Sequence, residues 1–352
     1  MRKNVKKQLA LRVLSTAALM AMVSSIATAA FADTYDLNKG SVTVKTKDDG
    51  ITYVTQENTE INEHPDDTGV TITSYGKQTE NTITVDTAKD QTTDVTLENV
   101  HIEVDTTDAK SGAIEIKGDG DTNLELNGDN TVLVENRWSE EHAAIEKADA
   151  YGKGTLTIKD DVNDNGTAKT GTDEDTTGKL LAGGYHNSAA IGGGCSGTGK
   201  NIRIEGNAHV TAASEDGAGI GGGFGSGNSV TITDDAVVDA YSAFAAAIGN
   251  GDQVGCSNDP TTITISGNAT VHAETRESGC AIGTSRDGSL SDLTINIEEN
   301  ANVTAIASYD RPAIGNAGCH DDTTTTINIT GGTVNAINSF GSDNPAFSSQ
   351  YD

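Results

Sequence analysis

Five times in the second half of the chain a small residue, an isoleucine and a glycine follow one another: Ala190-Ile191-Gly192, Gly219-Ile220-Gly221, Ala247-Ile248-Gly249, Ala281-Ile282-Gly283 and Ala313-Ile314-Gly315. The isoleucines stand 29, 28, 34 and 32 residues apart. Behind each comes an alternating segment: Ile202/Ile204, Val230/Ile232, Ile263/Ile265, Ile295/Ile297 and Ile327/Ile329. A third segment follows, carrying Ala208-x-Val210-x-Ala212 and its counterparts at 236–240, 269–273, 301–305 and 333–336. A period of this length marks a solenoid or an array of repeats. Alternation apolar in, polar out makes each unit three short strands.

Weaker copies extend the pattern toward the N-terminus. Ile83/Val85, Val95/Leu97 and Val100/Ile102 make the earliest unit; Ile114, Leu124/Leu126 and Val132/Val134 make the next. Ile145, Leu156/Ile158 and Leu180-x-Ala182 make a third, with a long insertion at 160–177. Three strands per period without a helical segment predict an all-β chain, a single-stranded parallel β-helix of about eight coils. Its hand is expected to be right, as for parallel strand connections generally. Coils stacked about 4.8 Å apart would give a rod of roughly 40 Å. The predicted boundaries are a leader at 1–32, cap strands at 33–80, the helix proper at 81–344, and a tail or incomplete coil at 345–352.

Composition agrees with a thin stacked column. Aromatic residues make up 4% of the chain and glycine numbers 40, too lean in large apolar groups for an ordinary globular core of this length. Arg2, Lys3, Lys6, Lys7 and Arg12 precede an apolar run from Val13 to Ile26 and then Ala30-Phe31-Ala32, the layout of a secretory signal peptide cut after Ala32. Export to the exterior or the cell surface follows, with no later segment apolar enough to insert in a membrane. Without the leader, 18 basic residues face 52 acidic ones. Such a charge disfavours nucleic acid and anionic surfaces as partners. Four cysteines, Cys195, Cys256, Cys280 and Cys319, could form two disulfides with three pairings open.

Gly194-x4-Gly199-Lys200 imitates a phosphate-binding loop, but Asn201 stands where a Ser or Thr would hold magnesium, and a strand pattern follows where a helix is needed. The glycines are better explained by tight turns with positive φ. At Ala189–Gly194, Ala218–Gly223 and Gly332–Ala336 the repeats resemble those of secreted β-helix proteins of gut and clostridial Gram-positive bacteria, often described as carbohydrate-binding domain-containing or adhesin-like. The likeness covers about residues 80–350. It implies a non-catalytic role in binding glycans or host surfaces. Thr284 and Asn316 depart from the glycine run.

A polysaccharide lyase or hydrolase on such a rod would need clustered carboxylates with a base, or a carboxylate pair across the scissile bond. The acid pairs Asp160-Asp161, Asp234-Asp235 and Asp321-Asp322 fall at different coil positions, which argues against catalysis. His209 and His272 read as outward strand residues, and His186 and His320 as loop residues with no second ligand at metal spacing. Asp161, Asn163 and Asn165 with Gly166 match the first half of an oxygen-ligand calcium loop; Thr172 stands at its twelfth position, and Asp173 or Glu174 could complete it by a small shift. No other cofactor is implied.

Trp138, Tyr185, Tyr241, Phe244, Tyr309 and Phe340 are placed in the connection from the third strand back to the first, with Arg137, Arg276 and Arg311. Stacked coil on coil, they would line one edge of the rod. Aromatic faces stack on sugar rings and arginines pair with carboxylates, so the expected partner is a polysaccharide or host glycoprotein. A host mucosal protein or immunoglobulin is the alternative partner, and activity as a calcium-dependent polysaccharide lyase a more distant alternative function.

Overall fold

The computed structural model describes residues 33–57, 59–64, 69–105, 111–135, 142–147, 153–161, 178–225, 228–252, 259–285, 292–308, 311–318, 323–339 and 346–348. These residues form an all-β parallel solenoid with three sheets of 12, 10 and 9 strands. One short 3-10 turn, Leu37–Lys39, is the sole helical element among them.

Each coil contributes one strand to each sheet, in the order the repeat predicts. In the coil of the clearest repeat, strand one is Ile191–Gly192, strand two Ile202–Gly206 and strand three His209–Ser214. Eight consecutive coils follow this plan, from Ile83–Thr87 to Thr333–Asn338, and Phe347–Ser348 adds one more strand to sheet one. Register is kept residue for residue. Ile145, Ile191, Ile220, Ile248, Ile282 and Ile314 are directly opposite their neighbours, a single buried isoleucine column. Sheets two and three stack Ile204 on Ile232 and Val210 on Val238 in the same way. Each fully buried aliphatic side chain contributes about 1.5–3 kcal/mol, so the stabilisation is spread evenly along the axis.

The glycine after each column isoleucine has a specific cause. Gly192, Gly221, Gly249, Gly283 and Gly315 have φ between 133° and 138°, a region that side chains avoid. A Cβ on Gly192, Gly221, Gly249 or Gly283 would also overlap the carbonyl oxygen of the column glycine one coil on. Both constraints admit only glycine.

The corner after this glycine is polar and buried. Asn250 Oδ1 accepts from Asn228 Nδ2 at 2.7 Å and from Thr261 Oγ1 at 2.8 Å, and Thr284 Oγ1 donates to Asn316 Oδ1 at 2.8 Å. Thr284 and Asn316, which break the glycine run, therefore replace small backbone turns with side-chain hydrogen bonds between coils.

At the N-terminal end, Val42–Thr46 pairs in parallel with Ile83–Thr87 and antiparallel with Thr52–Gln56, which pairs in turn with Thr59–His64. This meander covers the edge of sheet one. Asp33–Asp36 and Val70–Thr73 continue sheet two beyond Thr92–Glu98. The opposite end is less covered: Ile329, stacked on the fully buried Ile297, is 46% exposed.

Candidate functional site

Alternation on strand three sends Val210 and Ala212 inward and presents His209, Thr211 and Ala213 outward. Stacking turns these outward positions into columns along the axis. One runs Asp129, Lys179, His209, Val237; the next Thr131, Leu181, Thr211, Asp239, His272; the third Leu133, Gly183, Ala213, Tyr241, Glu274, Ile306. Gly183 and Ala213 place two consecutive small residues between Leu133 and Tyr241, and Leu133 leans over the first, its Cδ2 2.7 Å from where a Cβ on Gly183 would stand.

Two clefts among the described residues lie on this face. The larger, about 340 Å³, is lined by Asp129, Lys179, Leu181, His209, Thr211 and Asp239 among others. Leu181 is 42% exposed there, a large apolar side chain among polar neighbours. The smaller, about 170 Å³, is lined by Ala213, Ser214, Tyr241, Ser242, Ala243, Glu274 and Arg276. In it the Tyr241 ring tilts against the His272 ring, centroids 5.8 Å apart, and His272 Nε2 lies 3.7 Å from Glu274 Oε2. Burial pushes the Tyr241 hydroxyl above its ordinary value, and the Asp239 and Glu274 carboxylates add to the shift. The phenol is therefore a neutral hydrogen-bond donor throughout the neutral range.

The residues expected to form a stripe are placed as follows. Arg137, Trp138, Tyr309 and Phe340 lie outside the described residues. Tyr241 is not in the connection: strand three of its coil runs Val237–Ser242 and carries it on the outward face. The strand continues because Ser242 takes an inward position, its Oγ donating to the Gly217 carbonyl at 2.9 Å, so alternation persists past the last apolar residue. Tyr185 is in a connection, 45% exposed, with its ring edge-on to His186 at 4.4 Å. Phe244 is in the next connection but one, half-buried, with its amide bonded to the Glu215 carbonyl at 2.9 Å. Arg276 is exposed beside the smaller cleft. Arg311 does not join it as an outward base: its guanidinium donates to the Ala317 carbonyl at 3.1 Å, and its own carbonyl accepts from Asn338 Nδ2 at 2.6 Å. It ties two connections together.

Other expectations change as well. Cys280 is a fully buried free thiol, which rules out two disulfides; burial pushes its pKa to about 12. Cys195 is exposed, with Sγ 3.9 Å from Ser196 Oγ, and Cys256 and Cys319 lie outside the described residues. Of the calcium-loop residues, Asn163, Asn165 and Asp173 lie outside them too. Asp161 is described, and its Oδ2 accepts from Lys159 Nζ at 2.9 Å. Asp234 and Asp235 are taken up in stacking, accepting from Gly206 N at 3.3 Å and from Asn268 Nδ2 at 3.0 Å.

Linear spacing gave His186 no metal-ligating neighbour, yet the structure supplies two. Its Nδ1 lies 3.5 Å from Asp216 Oδ2 and 3.9 Å from Glu215 Oε2. The signal was present in the sequence, since Glu215 follows His186 by 29 residues, the same interval that separates Ile191 from Ile220. Residues one period apart are neighbours on this rod.

A family model described as a beta helix repeat matches residues 202–224 and 327–346. The first match spans strand two, strand three and the following Ile220-Gly221, one unit as the coils define it. The chain is a parallel β-helix, and two of its segments match that repeat. No curated protein and no solved structure is significantly similar to it. The β-helix repeat accounts for the inward residues and says nothing of the outward ones.

Proposed function

We propose that this β-helix is an exported, non-catalytic binding protein whose sheet-three face holds a glycan, as an adhesin-like or carbohydrate-binding module does. The observation that carries the reading is the cleft formed by Tyr241, Glu274 and Arg276 beside Ala213. A tilted aromatic face with a neutral hydroxyl, a carboxylate and a guanidinium offers stacking, donation and acceptance to a ring rich in hydroxyls. The larger cleft on the same face, with Lys179 and His209, gives an extended chain a second point of contact. The leader at residues 1–32 supports export, and the acidic balance of the chain supports a partner other than nucleic acid.

The test is a glycan array probed with the purified protein, with and without calcium. Specific binding is expected, weakened at least about tenfold by Tyr241→Ala with Arg276→Ala, with thermal stability within about 0.5 kcal/mol because both side chains face outward. No glycan bound, with retained binding to deglycosylated host protein, would replace this reading by the protein-binding one. Unsaturated oligosaccharides released from pectin, followed by their ultraviolet absorbance, would replace it by a lyase.

A further inference from the structure

The connections from strand three back to strand one carry a second cluster, and its chemistry differs from that of the clefts. We propose that His186, Glu215 and Asp216 bind a divalent transition-metal ion, with zinc as the ion that fits best. The proposal is independent of the glycan reading.

The main chain fixes the cluster before any ion is considered. His186 has φ 46°, a left-handed conformation, and its carbonyl accepts from the amides of Ser188 at 2.8 Å, Asp216 at 3.3 Å and Gly217 at 3.2 Å. The connection that carries the histidine is thereby fastened to the one that carries the two acids. Glu215 is held from the far side as well, its carbonyl accepting from Ala243 N at 3.1 Å and Phe244 N at 2.9 Å. The Tyr185 ring, edge-on to the imidazole at 4.4 Å, restricts the histidine side chain.

Within that frame one ligand atom from each residue lies within 4.8 Å of the others. The Nδ1 separations of 3.5 Å and 3.9 Å are looser than hydrogen bonds. They are close to what an ion requires. Ligands about 2.0–2.1 Å from a tetrahedral ion stand about 3.3 Å apart, so the two histidine separations would contract by about 0.2 and 0.6 Å and the two carboxylates, whose ligand atoms lie within 4.8 Å, would close to the same spacing. The state of the glutamate points the same way: its side chain is 37% exposed, yet Oε2 itself is sealed from solvent and accepts no hydrogen bond, His186 Nδ1 standing too far off at 3.9 Å. A sealed carboxylate oxygen without a donor is unfavourable, and a cation between it and the imidazole removes the deficit.

The donor set selects the class of ion. Calcium takes 6–8 ligands, all oxygen. One imidazole nitrogen with two carboxylates suits zinc and its neighbours. Three protein ligands leave the fourth tetrahedral position for water or an anionic group, so the proposed site is open rather than closed. The half-buried setting, with side-chain exposures of 17% for His186 and 25% for Asp216, keeps it reachable.

The experiment is calorimetric titration of zinc into the chelator-treated full chain in excess calcium, which occupies weak sites on the acidic surface. One saturable zinc per chain is expected. His186→Asn is the first variant, because asparagine tolerates the left-handed backbone; Glu215→Gln and Asp216→Asn are the others. Each should weaken zinc at least tenfold with an unchanged far-ultraviolet circular dichroism spectrum. Cobalt should give a visible d–d band in the wild type that His186→Asn abolishes. Full zinc affinity and an unchanged cobalt band in His186→Asn and Asp216→Asn would overturn the proposal, as would the lack of a saturable site in excess calcium. Should one variant fail to fold, the other two decide.

Discussion

Replacing Gly249 by alanine tests the stacking of coils most directly. Its φ is 134°, and an added Cβ would overlap the Gly283 oxygen outright and stand 3.0 Å from the Gly283 carbon and 3.3 Å from its nitrogen. Escaping the overlap means moving one coil against the next by roughly an ångström. That displacement loosens the hydrogen bonds from Asn250 N to Gly283 O and from Ile248 N to Ala281 O, each 3.0 Å. Forcing a side chain into this backbone region costs about 1–3 kcal/mol. Two weakened hydrogen bonds add about 1–3 kcal/mol, for a total of about 2–6 kcal/mol. Gly76 is the control: its φ is 68° and nothing lies within 4 Å of an added Cβ, so Gly76→Ala carries the backbone cost alone, about 1 kcal/mol. Guanidinium denaturation followed by circular dichroism gives the two values. Because a solenoid need not unfold in one step, hydrogen exchange should show the loss concentrated in the coils flanking residue 249. Equal destabilisation by the two substitutions, or exchange raised uniformly along the rod, would refute the reasoning.

Three further outcomes follow from the geometry. Asn250→Ala leaves the Asn228 amide and the Thr261 hydroxyl without their shared acceptor and should cost about 1–3 kcal/mol in denaturation. Cys280, with its pKa pushed to about 12 by burial, should resist alkylation in the native protein at mildly alkaline pH and react once denatured, as mass spectrometry of labelled peptides can show. Burial works to raise the pKa of Asp161, but the hydrogen bond from Lys159 Nζ and the Lys159 charge outweigh it and hold the carboxyl below its usual range. Its contribution to stability is thus present above the ordinary aspartate value and lost as pH falls through the lower folded value. In Lys159→Met an NMR titration of Asp161 should move its midpoint upward.

The inward half of the fold was legible because stacking leaves little choice. Ile191, Ile204 and Val210 point into the column as alternation predicts, and each is essentially inaccessible. The corners were less legible, since Asn250, Thr284 and Asn316 are buried through hydrogen bonds that hydropathy does not register. Tyr241 reads as a connection residue in the sequence because Ser242, a polar residue, occupies the inward position that carries its strand onward. Lateral neighbours were harder still. His186 has Glu215 and Asp216 beside it only because two coils are superposed, and a search along the chain at ligand spacing passes over residues one period apart. The outward face has no periodic constraint at all, and its smaller cleft lies where Ala213 precedes Tyr241 and Glu274 in one column.

The isoleucine-glycine column also fixes how the rod would bear load. Strand pairing joins each coil only to its immediate neighbours, and these hydrogen bonds point along the axis. A force applied along the axis would therefore open one coil's ladders at a time, as a zipper does, instead of shearing many at once. The molecule should extend under tension in a series of small, similar steps, one for each coil peeled from the stack.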